Sequence, residues 1–141
     1  MPIDSRMIDN MKADRVRKVA DLANRRTRER FGRFLIEGPQ SVREAVTWMP
    51  DAVRDLYVQA VDGPDGPRIA GETLTSIVER SQEHRIYVHP ASEAVMRRIS
   101  PDCQGIAAVG DADAVRATAQ GTQLPEKPFV AAFWQVRDPG N

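Results

Sequence analysis

Four short apolar runs, Phe34-Leu35-Ile36, Leu56-Tyr57-Val58, Ile86-Tyr87-Val88 and Ile106-Ala107-Ala108-Val109, are separated by stretches whose apolar residues recur with the period of a helix. Each run has the length and the β-branched or aromatic character of a strand, and a strand must bury its apolar side chains against something. The intervening stretches supply the cover. Val16, Val19, Ala20 and Ala23 fall at i, i+3, i+4 and i+7, which predicts one amphipathic helix over about residues 11–30. Val42, Ala45, Val46 and Met49 repeat the spacing after Gly38-Pro39, where proline suits a first helical turn because its missing N–H would find no partner there. Leu74, Ile77 and Val78 mark a helix over roughly 73–83, and Ser92 is placed to cap a short one carrying Val95, Met96 and Ile99. Trp48 and Met49, at the end of their stripe, are expected in the core. Strands and helices in alternation specify an α/β domain with a sheet of about four strands covered by its crossovers.

Composition narrows the functional classes. The chain has 141 residues, of which 41% are hydrophobic and 28% charged, the balance of a globular domain. No apolar run approaches the roughly 18 residues of a membrane span. Met1 to Met11 include Asp4 and Asp9 and lack the apolar stretch of a secretory leader, so a cytoplasmic protein is expected. One cysteine, Cys103, rules out an intramolecular disulfide, and with only His84 and His89 beside it no metal site is expected. These three read as ordinary structural or surface residues.

The formal net charge is zero, which at first argues against a polyanionic partner, but the charge is unevenly placed. Residues 6–33 hold ten basic side chains against four acidic ones, so this segment carries +6 and the remainder −6. Asp14 with Lys18 and Asp21 with Arg25 stand at i,i+4, an order that supports a helix. Arg25, Arg26, Arg28, Arg30 and Arg33 remain underneutralised, with Glu29 the single acid among them. Such a cluster is either a solvated helix face or a phosphate-binding one.

After the fourth strand the composition shifts. Residues 110–128 are rich in Gly, Ala, Thr, Gln and Pro and read as a linker, with a helical turn or two allowed between Ala112 and Ala119. Then follows Phe129-Val130-Ala131-Ala132-Phe133-Trp134-Gln135-Val136, the longest apolar run, which is expected to be a central strand buried on both faces. It leads into Arg137-Asp138-Pro139-Gly140-Asn141. Residues 1–109 are thus read as one domain, 110–128 as a linker and 129–141 as the opening of a second domain.

Three segments resemble the SpoU-type RNA 2′-O-ribose methyltransferases of the SPOUT superfamily, over about residues 12–141. Arg28-Glu29-Arg30-Phe31-Gly32-Arg33-Phe34-Leu35-Ile36-Glu37-Gly38, followed by Ser41-Val42-Arg43-Glu44-Ala45, is similar to the start of that family's substrate-binding domain. Gln104-Gly105-Ile106-Ala107-Ala108-Val109 is similar to its closing strand, and Gln135 to Asn141 to the beginning of catalytic motif 1. The resemblance implies a ribosomal-protein-like α/β/α sandwich that engages RNA, followed by the first strand of a trefoil-knot domain that binds S-adenosylmethionine and forms a homodimer. It implies that Arg28 is the family arginine, with Arg25, Arg26, Arg30 and Arg33 around it to meet RNA phosphates or stack on unpaired bases. Glu37 is a candidate for orienting an arginine, capping the next helix or touching RNA, and Gln104 for approaching RNA or entering the strand. Asn141 is the one catalytic-domain residue, a remnant of motif 1. The family's catalytic arginine and cofactor knot lie beyond it, so this chain alone is expected to be inactive and to bind no S-adenosylmethionine. The expectation is therefore the RNA-recognition domain of an rRNA methyltransferase. Its rivals are a stand-alone RNA-binding module of ribosomal-protein type and a protein-interaction domain.

Overall fold

The computed structural model describes residues 3–132 and arranges them, in chain order, as α1 (Asp14–Ala20), α2 (Arg25–Phe31), β1 (Arg33–Glu37), α3 (Pro39–Trp48), β2 (Val53–Val61), β3 (Arg68–Ile69), α4 (Glu72–Glu83), β4 (Tyr87–Ala91), α5 (Glu93–Ile99), β5 (Ile106–Asp111) and α6 (Ala112–Gly121). Among the described residues no helix is long and apolar enough to cross a membrane. The sheet is mixed. β5 lies antiparallel between β1 and β2, and β4 runs parallel to β2 on its other side. A parallel neighbour needs a crossover, which β3 and α4 supply. The two residues of β3 pair with Ala60 and Val61 at the far end of β2, giving one strand more than the four expected.

Every residue of β5 is buried, and alternation sends its side chains to two cores. On one face Ile106 and Ala108 join Leu56, Val58 and Val88 beneath Val42 and Val46 of α3 and Leu74, Ile77 and Val78 of α4. On the other, Ala107 and Val109 join Tyr57 and Ala91 beneath Val16 and Val19 of α1 and Val95, Met96 and Ile99 of α5. The result is the α/β/α sandwich expected, with each fully buried valine or leucine contributing about 1.5–3 kcal/mol.

Close approaches fix the register. Phe34 is opposite Gly110 and its ring covers it so tightly that a Cβ there would lie 2.5 Å from the ring. Residues 3–8 run beside β4. The Asp4 N–H donates to the Val88 carbonyl (3.1 Å), the Ile8 N–H to the Pro90 carbonyl (2.8 Å), and the Ser92 N–H to the Ile8 carbonyl (2.9 Å). The Asp4 carboxylate meets His89 Nδ1 at 2.6 Å and accepts from the Tyr87 hydroxyl at 2.7 Å. Partial burial pushes the Asp4 pKa up, but hydrogen bonds from His89 and Tyr87 outweigh it and leave the group lowered.

Two expectations are corrected. The single helix over 11–30 is broken: α1 stops at Ala20, a 3-10 turn covers Asp21–Ala23, and Asn24 takes an extended conformation. The Asn24 side chain accepts from the Arg26 N–H (3.0 Å) and starts α2 afresh, the usual competition of asparagine with a continuing helix. Trp48 is 76% exposed, because it falls off the Val42–Val46 stripe and its indole donates to Glu44 on the same helix. Within the expected linker, β5 continues to Asp111 and the helix allowed from Ala112 runs for ten residues as α6. Residues 129–132, the start of the apolar run assigned to a second domain, lie in no described strand, and Phe129 is exposed. The rest of that run, with Trp134 and Asn141, lies outside the described residues.

Asp111 joins three elements. Its Oδ1 caps α6 by accepting from the N–H groups of Asp113 (3.0 Å) and Ala114 (3.2 Å). Its Oδ2 accepts from Arg54 Nε (3.0 Å) and lies 3.0 Å from Arg33 Nη1. The Arg54 hydrogen bonds first, then the Ala114 N–H and the two arginine charges, hold its pKa at about 2, below the ordinary 3.8. Because the folded value is the lower one, the unfolded chain binds more protons between 3.8 and about 2. The stabilisation from Asp111 is therefore complete above this window and lost as pH falls through it. Asp111→Asn should show a shallower acid limb than wild type when denaturation midpoints are measured across the window. Gly105 supplies a second test. Its φ is +82°, and an added Cβ would lie 3.1 Å from Leu74 Cδ1 and 3.2 Å from Gln59 Oε1. Gly105→Ala should cost about 1–3 kcal/mol in urea denaturation, whereas Gly121→Ala, with nothing within 4 Å, should be neutral or mildly stabilising.

Candidate nucleic-acid interface

The arginine cluster is sorted by what each guanidinium touches. Arg28 Nη1 donates to the carbonyls of Leu22 (2.9 Å) and Ala23 (2.7 Å), satisfying the end of the 3-10 turn and fastening α2 to α1. Thr27 ties the same junction by donating to Asp21 (2.6 Å). Arg33 is drawn into the Asp111 cluster. Arg25 Nε donates to Glu29 one turn on (2.7 Å), an exposed pair worth a few tenths of a kcal/mol. Arg26 and Arg30 make no side-chain hydrogen bond or ion pair among the described residues. Arg30 instead lies over the Phe31 ring, 5.2 Å from its centroid, and Phe31 is 58% exposed. Arg26 and Arg30 therefore present uncommitted positive charge. Lys18 of α1 and Arg98 of α5, also without ion-pair partners among the described residues, line a shallow polar hollow with Arg17, Asp14 and Asp21.

Beneath α2 a cleft of about 420 Å³ opens between the α1–α2 corner and the sheet. Lys18 and Arg33 stand around it with Asp21 and Asp55, Thr27 and Phe31 face it from α2, and Leu22, Val109 and Tyr57 supply apolar surface. Tyr57 is only 3% exposed, stacks on His89 (ring centroids 4.8 Å apart), and its hydroxyl has no hydrogen-bond partner among the described residues. Burial first, then the Asp55 charge, pushes this phenol up to about 12, so it keeps its proton at neutral pH.

Glu37 and Gln104 lie elsewhere. β1 carries the chain about 13 Å from Arg33 to Glu37, so the residues singled out in the sequence fall at two ends of the sheet. Glu37 and Gln104, both exposed, border a separate hollow of about 350 Å³ with Gly38, Ser41 and Arg43. Gln104 adopts φ 52°, a left-handed conformation uncommon for a residue with a side chain. Asn141 cannot be placed, being outside the described residues.

His89 and Cys103 are held inside the fold. His89 is buried with Nδ1 on Asp4 and Nε2 on Asp55 (2.8 Å). Cys103 is buried, its thiol pushed up by desolvation, and lies 3.6 Å from the Met96 carbonyl. Among the described residues no three His, Cys, Asp or Glu side chains converge on a metal position. The arrangement offers cations and aromatic surface, which suits holding a polyanion. Three contributors were not singled out in the sequence. Phe31 carried a readable signal, an aromatic residue interleaved with arginines; Tyr57 looked like any strand residue, and Arg98 lies far from the basic segment.

Comparison with known proteins agrees with this picture. No curated protein matches the chain. A solved rRNA methyltransferase from Sinorhizobium meliloti is similar with a TM-score of 0.57 at 13% identity, over 79% of this chain and 38% of that one. An RNA 2′-O ribose methyltransferase is similar at 0.51 and 18% identity, over 90% and 41%. The S. meliloti rRNA methyltransferase with AdoMet bound gives 0.54 at 13% identity, over 77% and 36%. At these identities the likeness establishes the fold, and this chain spans about two fifths of the length of those structures. Residues 13–108 match the model of the MRM3-like substrate binding domain, and the chain, whose fold and motifs point the same way, belongs to that family.

Proposed function

We propose that this chain is the RNA-holding domain of an S-adenosylmethionine-dependent rRNA 2′-O-ribose methyltransferase, acting in the cytoplasm and joined to a dimeric trefoil-knot domain. The observation that carries this reading is the set of cations left without ion-pair partners among the described residues, Arg26 and Arg30 on α2, Lys18 on α1 and Arg98 on α5, on a domain of a substrate-binding family. Phosphates meeting these groups displace counterions, and the apolar layers keep the face rigid enough to present a ribose in a fixed register. Glu37 and Gln104, at the other end of β1, are proposed as a second contact on the same RNA, and Asn141 as a residue of the catalytic domain.

The described residues do not suit the methyl donor. The cleft under α2 sets Lys18 and Arg33 beside Asp21 and Asp55, and the hollow at Glu37 has Arg43 as well as Asp102 on its rim, so neither offers a sulfonium cation an acidic site free of opposing cations. When bound, S-adenosylmethionine supplies the transferred methyl group, and its place in this reading is the domain to which the Asp138-Pro139-Gly140-Asn141 motif belongs. The residues described here bind and orient RNA. Methylation by this chain alone is expected to be undetectable.

The test is the salt dependence of binding to a structured rRNA fragment. Wild type should bind with a steep loss of affinity as salt rises. Arg26→Ala/Arg30→Ala should reduce the slope of log K against log salt by between about 1.4 and 1.8, the share of two phosphate contacts. Arg28→Ala should chiefly lower thermal stability, because it frees two carbonyls at the α1–α2 junction. An unchanged slope in the double variant would displace the RNA from α2, and salt-independent binding by wild type would overturn the reading.

A further inference from the structure

We infer that the cleft beneath α2 receives one unstacked nucleotide of the bound RNA, with its base against Phe31 and its amino edge turned toward Asp55 and Tyr57. This rests on the RNA-binding reading and specifies a site within it.

Four observations converge on this occupant. The cleft, at about 420 Å³, lies within the roughly 300–1,000 Å³ range of small-ligand pockets and is lined by Lys18 and by Thr27 and Phe31 of α2, the helix that also carries Arg26 and Arg30. Phe31 at its rim is exposed, and the Arg30 guanidinium over its ring adds a second planar group, the combination on which single-stranded bases stack. Tyr57 lines the cleft as an almost fully buried side chain whose hydroxyl has no partner among the described residues. The hydroxyl oxygen itself reaches the solvent of the cleft, so a ligand that displaces this water must supply a hydrogen bond in its place. Asp55 lines it too: Oδ1 is engaged by His89 Nε2 at 2.8 Å, while Oδ2 has no hydrogen-bond partner among the described residues.

The polar groups also set a preference. A carboxylate oxygen accepts hydrogen bonds and donates none, so it favours a base carrying an exocyclic amino group over uracil, whose one donor on that edge, N3–H, is flanked by two carbonyls that repel the carboxylate. The protonated Tyr57 hydroxyl serves as donor or acceptor to the neighbouring ring position. Lys18, with no ion-pair partner among the described residues, is placed for the nucleotide's phosphate. The alternative occupant, an apolar side chain from another protein segment, would leave Asp55 Oδ2 and the Tyr57 hydroxyl desolvated without partners.

The test uses short single-stranded oligoadenylate and oligouridylate, with a blunt RNA duplex as the comparison. Oligoadenylate should shift the amide resonances around Phe31, Asp55 and Tyr57, and should bind more tightly than oligouridylate. Phe31→Ala should weaken oligoadenylate binding by a factor of roughly five to a hundred, the effect of losing one base stack, while leaving duplex binding within about twofold. Phe31→Tyr should restore it. Tyr57→Phe, which removes only the hydroxyl, should narrow the preference for adenylate over uridylate. Equal oligoadenylate affinities for wild type and Phe31→Ala, or resonance shifts confined to other surfaces, would overturn the inference while salt-dependent duplex binding left the broader reading intact. Failure of every RNA to bind would overturn both.

Discussion

The sheet has no polar face. β5 is buried along its whole length, Leu56, Val58 and Val88 look one way, and Tyr57 and Ala91 look the other, so both sides must be covered by helices. Everything else follows from that double demand. Helices α3 and α4 close one side and α1 and α5 the other, which leaves only strand ends, helix ends and the α1–α2 corner for groups that meet a ligand. The cationic face and the cleft beneath α2 occur at that corner because the packing there is interrupted: a short 3-10 turn and a capped asparagine swing α2 away from the line of α1 and open a gap above Tyr57.

The same interruption marks the limit of what the sequence discloses. The helices at Val42–Val46 and Leu74–Val78 and the strand at Ile106–Val109 are legible, because one period holds throughout each and no residue argues otherwise. Over residues 11–30 two signals compete: the stripe Val16, Val19, Ala20, Ala23 continues through Asn24, but the asparagine side chain is satisfied only by ending one helix and capping the next. The buried residue after Ala20 is consequently Leu22, and Ala23 is exposed. Trp48 misleads in the opposite way, since its size suggests the core while its angular position on α3 excludes it.

For the candidate site, the sequence discloses charge but not its partners. Five arginines between positions 25 and 33 look equivalent until Arg28 is found holding two carbonyls and Arg33 a carboxylate at the far end of β5. Partnership across the fold, unlike periodicity, has no local signature. The zero net charge is thus a sum over two populations, one consumed in joining elements and one left facing outward. Only the second is available to another molecule.

Residues 3–8, which run beside β4, have a consequence for association between copies of the chain. An outer strand with bare amide and carbonyl groups is a template onto which any extended polypeptide can add, and repeated addition builds aggregates. Here the chain's own beginning occupies that template, held by three backbone hydrogen bonds and by the Asp4 carboxylate on His89 and Tyr87. Pro90, lacking an N–H, makes the strand a poorer template still. The opening residues therefore act as a built-in selvage: removing residues 3–8 would uncover the border of β4 and also take Ile8 from the edge of the second core.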